Sequence, residues 1–341
     1  MKNTVSCFMY SLVLLVLSVI SNPGAAGEKS ADDPFHYSVN LPQSYNESTR
    51  TYPVIFLIDS SPFYKGDYFG ETTETIRRLE KFHDFPETII VEVEVKQLYR
   101  YVTRERNTLS DWLGMELSPL IAKQYRTQTR NVIVGFSYTA GGLMNSVALR
   151  KNSFSTVISL SPVFESVRDV PAALSNVDLV PRNLAVFGNE NHRLIQFYQP
   201  LLKSSDTAEL SIISLPQENH QSVLVPGLRA SLLRTFSDYQ LPSYSSFLEH
   251  DYTPQTLMEL FKHRTVAYGV APEPSALSDL FLEAAKVYTQ MGKFELAEQH
   301  WRFTESEHKS YFIAQIIDEL ERGQQVELAQ KARALRQKLG L

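Results

Sequence analysis

The sequence predicts an α/β protein: a doubly wound, mostly parallel sheet followed by a small all-helical segment. Three observations carry this. Short β-branched apolar runs alternate with helical patterns from about residue 35 to residue 240, which implies right-handed crossovers between parallel strands. The run from Tyr52 to Asp59 is continuously apolar up to its closing aspartate, as in a strand covered on both faces. From Ser278 onward the composition turns to Ala, Leu, Glu, Gln and Lys with a helical period throughout.

Residues 1–26 stand apart from the fold. Lys2 precedes an apolar stretch from Phe8 to Ile20, and Pro23, Gly24, Ala25 and Ala26 follow as small residues suited to cleavage. The stretch is shorter than the ~18 residues a membrane span needs, so it reads as a signal peptide and places the mature chain in the periplasm or outside the cell. After it, Phe35 to Pro42 reads as an edge strand, Glu74 to Phe82 as a helix and Thr88 to Val95 as a strand. Leu109, Leu113, Leu117, Leu120 and Ile121 mark the buried side of a helix ending at Gln124, with a kink or restart expected at Pro119. Val132 to Val134 forms a strand, Ala140 to Lys151 a helix, and Ser155 to Leu160, Asn183 to Phe187 and Glu209 to Leu215 are further strands. The stretch Gln240 to Pro274 has little periodicity and reads as a connector.

Phe281, Ala285, Tyr288, Gly292, Ala297 and Trp301 then sit at the spacings of a tetratricopeptide repeat. Ile313, Ile317, Leu320, Leu328, Ala332 and Leu335 mark a second helix pair. These helices either stack on the sheet or offer a surface to a protein partner. The expected division is 1–26 signal peptide, 27–242 α/β domain, 243–275 connector and 276–341 tetratricopeptide-like helical segment.

Composition narrows the chemistry. The single cysteine, Cys7, lies in the leader, so the mature chain has no catalytic thiol, thiolate metal site or disulfide. A net charge of −5 without Lys/Arg runs argues against nucleic acid as a partner. The eight histidines show no His-x-x-x-His pair, so no metal or other cofactor is expected.

The sharpest local signal is Val132-Ile133-Val134-Gly135-Phe136-Ser137-Tyr138-Thr139-Ala140-Gly141-Gly142. A strand, Gly-x-Ser-x and a helix start make a nucleophile elbow, in which a tight turn lifts the serine hydroxyl beside a helix N-terminus. The alternative is a serine that merely caps the helix. A nucleophile needs a base and usually an orienting acid, in the chain order Ser, acid, His at successive strand ends. Ser137, Glu190 after the strand ending at Phe187, and His220 after the strand ending at Leu215 fit that order. Glu218, or no acid at all, remains open in place of Glu190, and His192 reads as a surface histidine. The oxyanion would be met by the backbone N–H groups of Tyr138 and, from the turn after Asp59, Ser61. Tyr99 and Tyr101, flanking Arg100 just past a strand, line either a pocket mouth or a solvated loop.

Together these segments resemble the esterase family of α/β hydrolases that includes siderophore-trilactone esterases, S-formylglutathione hydrolases and mycolyltransferases. The matching pieces are Tyr52 to Asp59, Pro86 to Val91, Glu116 to Tyr125, Gly135 to Tyr138, Ser159-Leu160-Ser161-Pro162 and Glu218-Asn219-His220-Gln221-Ser222-Val223. The chain departs from the family pattern in having Phe136 where a histidine is usual, Gly141-Gly142 displaced by two positions, and Ser60 where a glycine follows the aspartate. The resemblance implies Ser137 as nucleophile, His220 as base, Glu190 at the acid position, and a small-molecule ester, siderophore-like or a simple acyl ester, as substrate. An acyltransferase on the same site, or a catalytically weak envelope protein binding a partner through its helices, are the rival expectations.

Overall fold

A computed structural model describes residues 33–82, 85–146, 153–163, 182–189, 210–270, 274–304 and 308–341. Seven strands form one sheet: β1 (Phe35–Asn40), β2 (Tyr52–Ile58), β3 (Ile89–Val95), β4 (Thr127–Phe136), β5 (Thr156–Leu160), β6 (Arg182–Phe187) and β7 (Leu210–Ser214). Their order is β1-β3-β2-β4-β5-β6-β7, with β1 antiparallel to β3 and every other pair parallel. This is the doubly wound sheet of an α/β hydrolase. Every residue of β2 is buried, because alternate side chains enter two different layers. Val54, Phe56 and Ile58 pack with Val102, Leu113 and Ile121, while Ile55 and Leu57 pack with Ile76, Leu228 and Leu232.

Three strands place the site. Ile55, Phe56 and Leu57 of β2 register with Val132, Ile133 and Val134 of β4, and Phe136 of β4 registers with Leu160 of β5. The carboxyl ends of β2, β4 and β5 therefore finish side by side at the crevice where ligands bind in such sheets. At the other end β4 starts earlier than the sequence pattern suggests, at Thr127, and its pairing with β2 shifts register between Tyr52 and Val54. Pro53 falls in that gap and has no N–H for the ladder.

Helix α1 (Tyr68–Lys81) begins well before Glu74, because the Asp67 carboxylate accepts from the Gly70 N–H and caps it. After β3 come α2 (Leu98–Thr103) and α3 (Arg106–Asp111). A π-helical turn, Trp112–Leu117, then leads into α4 (Ser118–Gln124). The irregularity expected at Pro119 takes this form: proline leaves a carbonyl of the preceding turn without its N–H, and the Ser153 hydroxyl donates to Gly114 O at 3.3 Å. Helices α5 (Tyr138–Ser146) and α6 (Leu224–Thr235) complete the two layers.

The stretch read as a connector is not irregular. It holds α7 (Tyr244–Glu249), capped by a Ser243/Ser246 box, and α8 (Pro254–Tyr268), capped by Thr253 with Pro254 in the first turn. Phe247 and Leu257 are buried among the C-terminal helices, whereas Tyr268 is buried against the sheet layer. Helix α8 thus joins the two parts of the molecule. Helices α9 (Pro274–Gln290), α10 (Phe294–Phe303), α11 (Lys309–Arg322) and α12 (Val326–Lys338) follow as two hairpins. Gly292 turns the first at φ 75°, and the buried Trp301 indole donates to Thr289 Oγ1 at 3.0 Å. The His300 ring is buried, with Nε2 2.7 Å from the Tyr252 carbonyl, and burial lowers its pKa although that hydrogen bond opposes the shift. Among the described residues no helix is long and apolar enough to cross a membrane.

Candidate active site

Ser137 sits between β4 and α5 at φ 58°, a left-handed conformation that costs a non-glycine residue about 1–2 kcal/mol. The neighbouring strand end holds it there. The Ser137 N–H donates to Leu160 O at 2.9 Å, and the Ser137 carbonyl accepts from Val163 N at 3.0 Å and Gly141 N at 3.1 Å. Gly135 is required by the close approach of the helix: a Cβ there would lie 2.8 Å from Leu143 Cδ1 and 3.1 Å from Ala140 N.

Two residues that depart from the family pattern brace this turn. The Thr139 methyl borders the space above Gly135, and its hydroxyl donates to the Asp59 carbonyl at 3.0 Å. The Ser60 hydroxyl donates to Ile58 O and accepts from the Phe136 N–H, each at 3.1 Å. The elbow is therefore pinned to the end of β2 on both sides of Ser137.

His220 reaches Ser137 from the loop after β7. Its Nε2 lies 3.0 Å from Ser137 Oγ and its Nδ1 lies 2.8 Å from Ser161 Oγ, while its ring packs on Phe136 with centroids 4.8 Å apart. The Glu218-to-Val223 motif builds this loop. Asn219 Oδ1 accepts from the N–H groups of Gln221 and Ser222, and Ser222 Oγ accepts from the Asn219 N–H, closing the turn that precedes α6. The Gln221 side chain donates to Phe63 O and accepts from the Lys65 N–H, each at 3.0 Å. It fastens the histidine loop to the turn after β2.

The sequence-predicted residues fall as follows. Ser137 and His220 are hydrogen-bonded. The Tyr138 N–H opens α5 with no acceptor among the described residues. The Ser61 N–H, expected to face the oxyanion, instead donates to the Asp59 carboxylate at 2.9 Å. The preceding N–H, that of Ser60, has no acceptor among the described residues. Glu190 and His192 lie outside the described residues. Glu218 takes part through its backbone: its carbonyl accepts from Asn189 N at 2.7 Å. The two tyrosines beside Arg100 part company. Tyr99 stacks edge-on to Tyr138, which also packs on Phe63, whereas Tyr101 packs on Phe35 in the core layer. Tyr64 stacks edge-on to Phe136, and burial and the bond to Glu71 push its phenol up to about 12, so it stays protonated.

Sequence reasoning missed Ser161, Ser60 and Gln221. All three lie in or beside recognised motifs, but what their side chains touch depends on strand ends meeting in space. Among the described residues no three His, Cys, Asp or Glu side chains converge as a metal site.

A strained strand-to-helix serine in hydrogen-bond contact with a histidine from a later strand end defines a serine hydrolase. The family model "Putative esterase" matches residues 29–211, more than half of the chain, and the chain belongs to that family of carboxylic-ester hydrolases. No curated protein sequence is a significant match. Among solved structures, the chain is similar to an IroE-like serine hydrolase from Shewanella oneidensis, at 19% identity and TM-score 0.55 over 89% of this chain and 95% of that one. It is also similar to an uncharacterised protein from Capnocytophaga ochracea, at 16% identity and TM-score 0.60 over 89% of each chain. The siderophore hydrolase EstA from Aspergillus nidulans matches at 16% identity and TM-score 0.50, over 60% of this chain and 91% of that one. The two bacterial matches cover more of this chain than residues 33–242 alone can supply, so the shared fold extends into the C-terminal helices.

Proposed function

We propose that the protein is an exported esterase that cleaves its substrate through an acyl-enzyme on Ser137. His220 Nε2 takes the Ser137 proton as Oγ attacks the ester carbonyl. The tetrahedral oxyanion is met by the N–H groups of Tyr138 and Ser60, the donor role moving one residue back from Ser61 because the Asp59 carboxylate occupies the Ser61 N–H. The protonated imidazole then gives its proton to the leaving alcohol. Water, deprotonated by the same ring, attacks the acyl carbonyl and releases the acid.

The observation that carries this reading is the 3.0 Å contact between Nε2 and the hydroxyl of a serine held at φ 58°. Export is supported by the leader-like residues 1–26. A siderophore-like ester as substrate is supported by the family resemblance, by the similarity to the Aspergillus siderophore hydrolase, and by the aromatic rim of Phe63, Tyr138 and Tyr99. The C-terminal hairpins, at tetratricopeptide-like spacing, are the surface left for a protein partner.

The test is fluorophosphonate labelling of the mature protein with Ser137→Ala and His220→Ala alongside, followed by a screen of acyl esters and cyclic trilactones. Labelling of the wild type alone is expected. A folded wild type that stays unlabelled would falsify the activated serine and return attention to the helices as a binding surface.

A further inference from the structure

The ring nitrogen of His220 that faces away from Ser137 meets a hydroxyl. Ser161 Oγ lies 2.8 Å from Nδ1, and Ser161 is completely buried at the end of β5, the strand beside the nucleophile's own. Its backbone is in the left-handed region at φ 43°, where serine is rare and strain marks a position fixed by its surroundings. The Ser161 N–H donates to Val186 O at 2.8 Å, fixing it to β6. Its two flanks hold the nucleophile: Leu160 O accepts from the Ser137 N–H, and Val163 N donates to the Ser137 carbonyl. One four-residue segment therefore sets the backbone of Ser137 and touches the far side of the imidazole.

A general base must present a lone pair at Nε2, which requires the proton on Nδ1 and an acceptor for it there. We propose that Ser161 is a positioning residue, its hydroxyl accepting from Nδ1–H and holding His220 in the tautomer that can deprotonate Ser137. The assignment rests on the reading of Ser137 and His220 as nucleophile and base. It differs in kind from a carboxylate at the same place. A hydroxyl at Nδ1 orients the ring without itself adding a full negative charge beside the imidazolium. No covalent step is added, and the proton on Nδ1 stays there throughout.

The test compares wild type, Ser161→Ala, Ser161→Asp and Glu190→Gln on a p-nitrophenyl ester, with fluorophosphonate labelling and ¹⁵N-imidazole NMR. Ser161→Ala is expected to lower kcat about ten- to hundredfold, less than the ~10⁴ seen for loss of a buried triad carboxylate. KM and melting temperature should stay near wild type, and labelling should slow in parallel. NMR of the neutral wild-type ring should show the proton on Nδ1. If Ser161→Asp folds, it should move the acid limb of kcat/KM to higher pH. The proposal is overturned if Ser161→Ala keeps kcat and labelling rate within about twofold of wild type, a difference of no more than ~0.4 kcal/mol. It is equally overturned if the ring carries its proton on Nε2, or if Glu190→Gln alone produces the kcat loss. These results leave the esterase reading intact when wild type is labelled at Ser137. An unlabelled wild type removes that reading and the role of Ser161 together.

Discussion

Among the described residues the amino-terminal ends of the strands are fastened by charge, whereas the contacts round Ser137 are made by hydroxyls and backbone. Below the sheet Arg77 bonds both Glu80 oxygens, Arg50 pairs with Glu87, and Arg126 donates to the carbonyls of Tyr45, Ser48 and Arg50. There too Arg130 forks onto Asp238, which also bonds Tyr268 and His263 of α8. Above the sheet the described groups bracing Ser137 are the hydroxyls of Ser60, Thr139 and Ser161, with the Gln221 amide on the loop behind. The Asp59 carboxylate, among the described residues near the elbow, accepts from the Ser61 N–H. Neutral groups can fix geometry beside an imidazole without adding the charge that would shift its titration.

The largest effect expected from breaking this contrast is at Ser137. Ser137→Gly should abolish esterase turnover, a loss of at least about 10³-fold. It should also raise stability by about 1 kcal/mol, because glycine accepts φ 58° without strain. Urea unfolding and steady-state rates measure both. A variant equally stable to wild type would mean that the elbow stores no strain.

Asp238→Asn should act in the opposite sense, costing about 1–3 kcal/mol with kcat/KM unchanged. Burial works against the Asp238 charge, but hydrogen bonds from Arg130, Tyr268 and His263 outweigh it and hold the carboxyl at about 2. With a folded pKa below the ordinary value near 4, its stabilisation is complete above about pH 4 and is lost as pH falls towards 2. The variant's melting temperature should therefore converge with that of wild type over that interval. Loss of activity without loss of stability would show that the lower network reaches the site.

Gln221→Ala should reduce kcat about tenfold, about 1.4 kcal/mol of barrier, by releasing the histidine loop from Phe63 and Lys65 while melting stays within a degree or two. Wild-type rates would reduce Gln221 to a surface contact. The smallest effect is reserved for Arg78→Ala. Its bond to Glu74 is exposed on both sides, and such helix pairs contribute about 0.3–0.5 kcal/mol. A larger change would mean that exposure is a poor guide to which ion pairs matter here.

Much of this arrangement is legible in the sequence, for physical reasons. Residues 52–58 read as a doubly covered strand because burial on both faces leaves no polar position. Gly135-Phe136-Ser137 reads as an elbow because only glycine admits the helix so close. His220 is findable because it follows a strand in the right order. The helices at Tyr244–Glu249 and Pro254–Tyr268 are hidden by weak periodicity, since the first buries only Phe247 and the second divides its few apolar anchors between two cores. Ser161 and Ser60 were harder. A buried serine gives no periodic signal, and its function comes from which neighbouring strand end it touches. The Ser61 N–H, expected to face the oxyanion, is turned instead to the Asp59 side chain folding back on the turn, a contact that spacing alone does not encode.

The join between β6 and the histidine loop has a consequence for how this chain can change over generations. Leu215 N donates to Phe187 O and Asn189 N to Glu218 O, and a Cβ on Gly188 would lie 2.6 Å from that same Glu218 carbonyl. Main-chain atoms make these bonds, so almost any residue can supply them, and only the glycine is irreplaceable. Side chains on the loops that meet substrate can drift while the imidazole keeps its address. A lineage built this way can try new esters by exchanging loop residues, with one hydrogen atom at position 188 as the fixed toll.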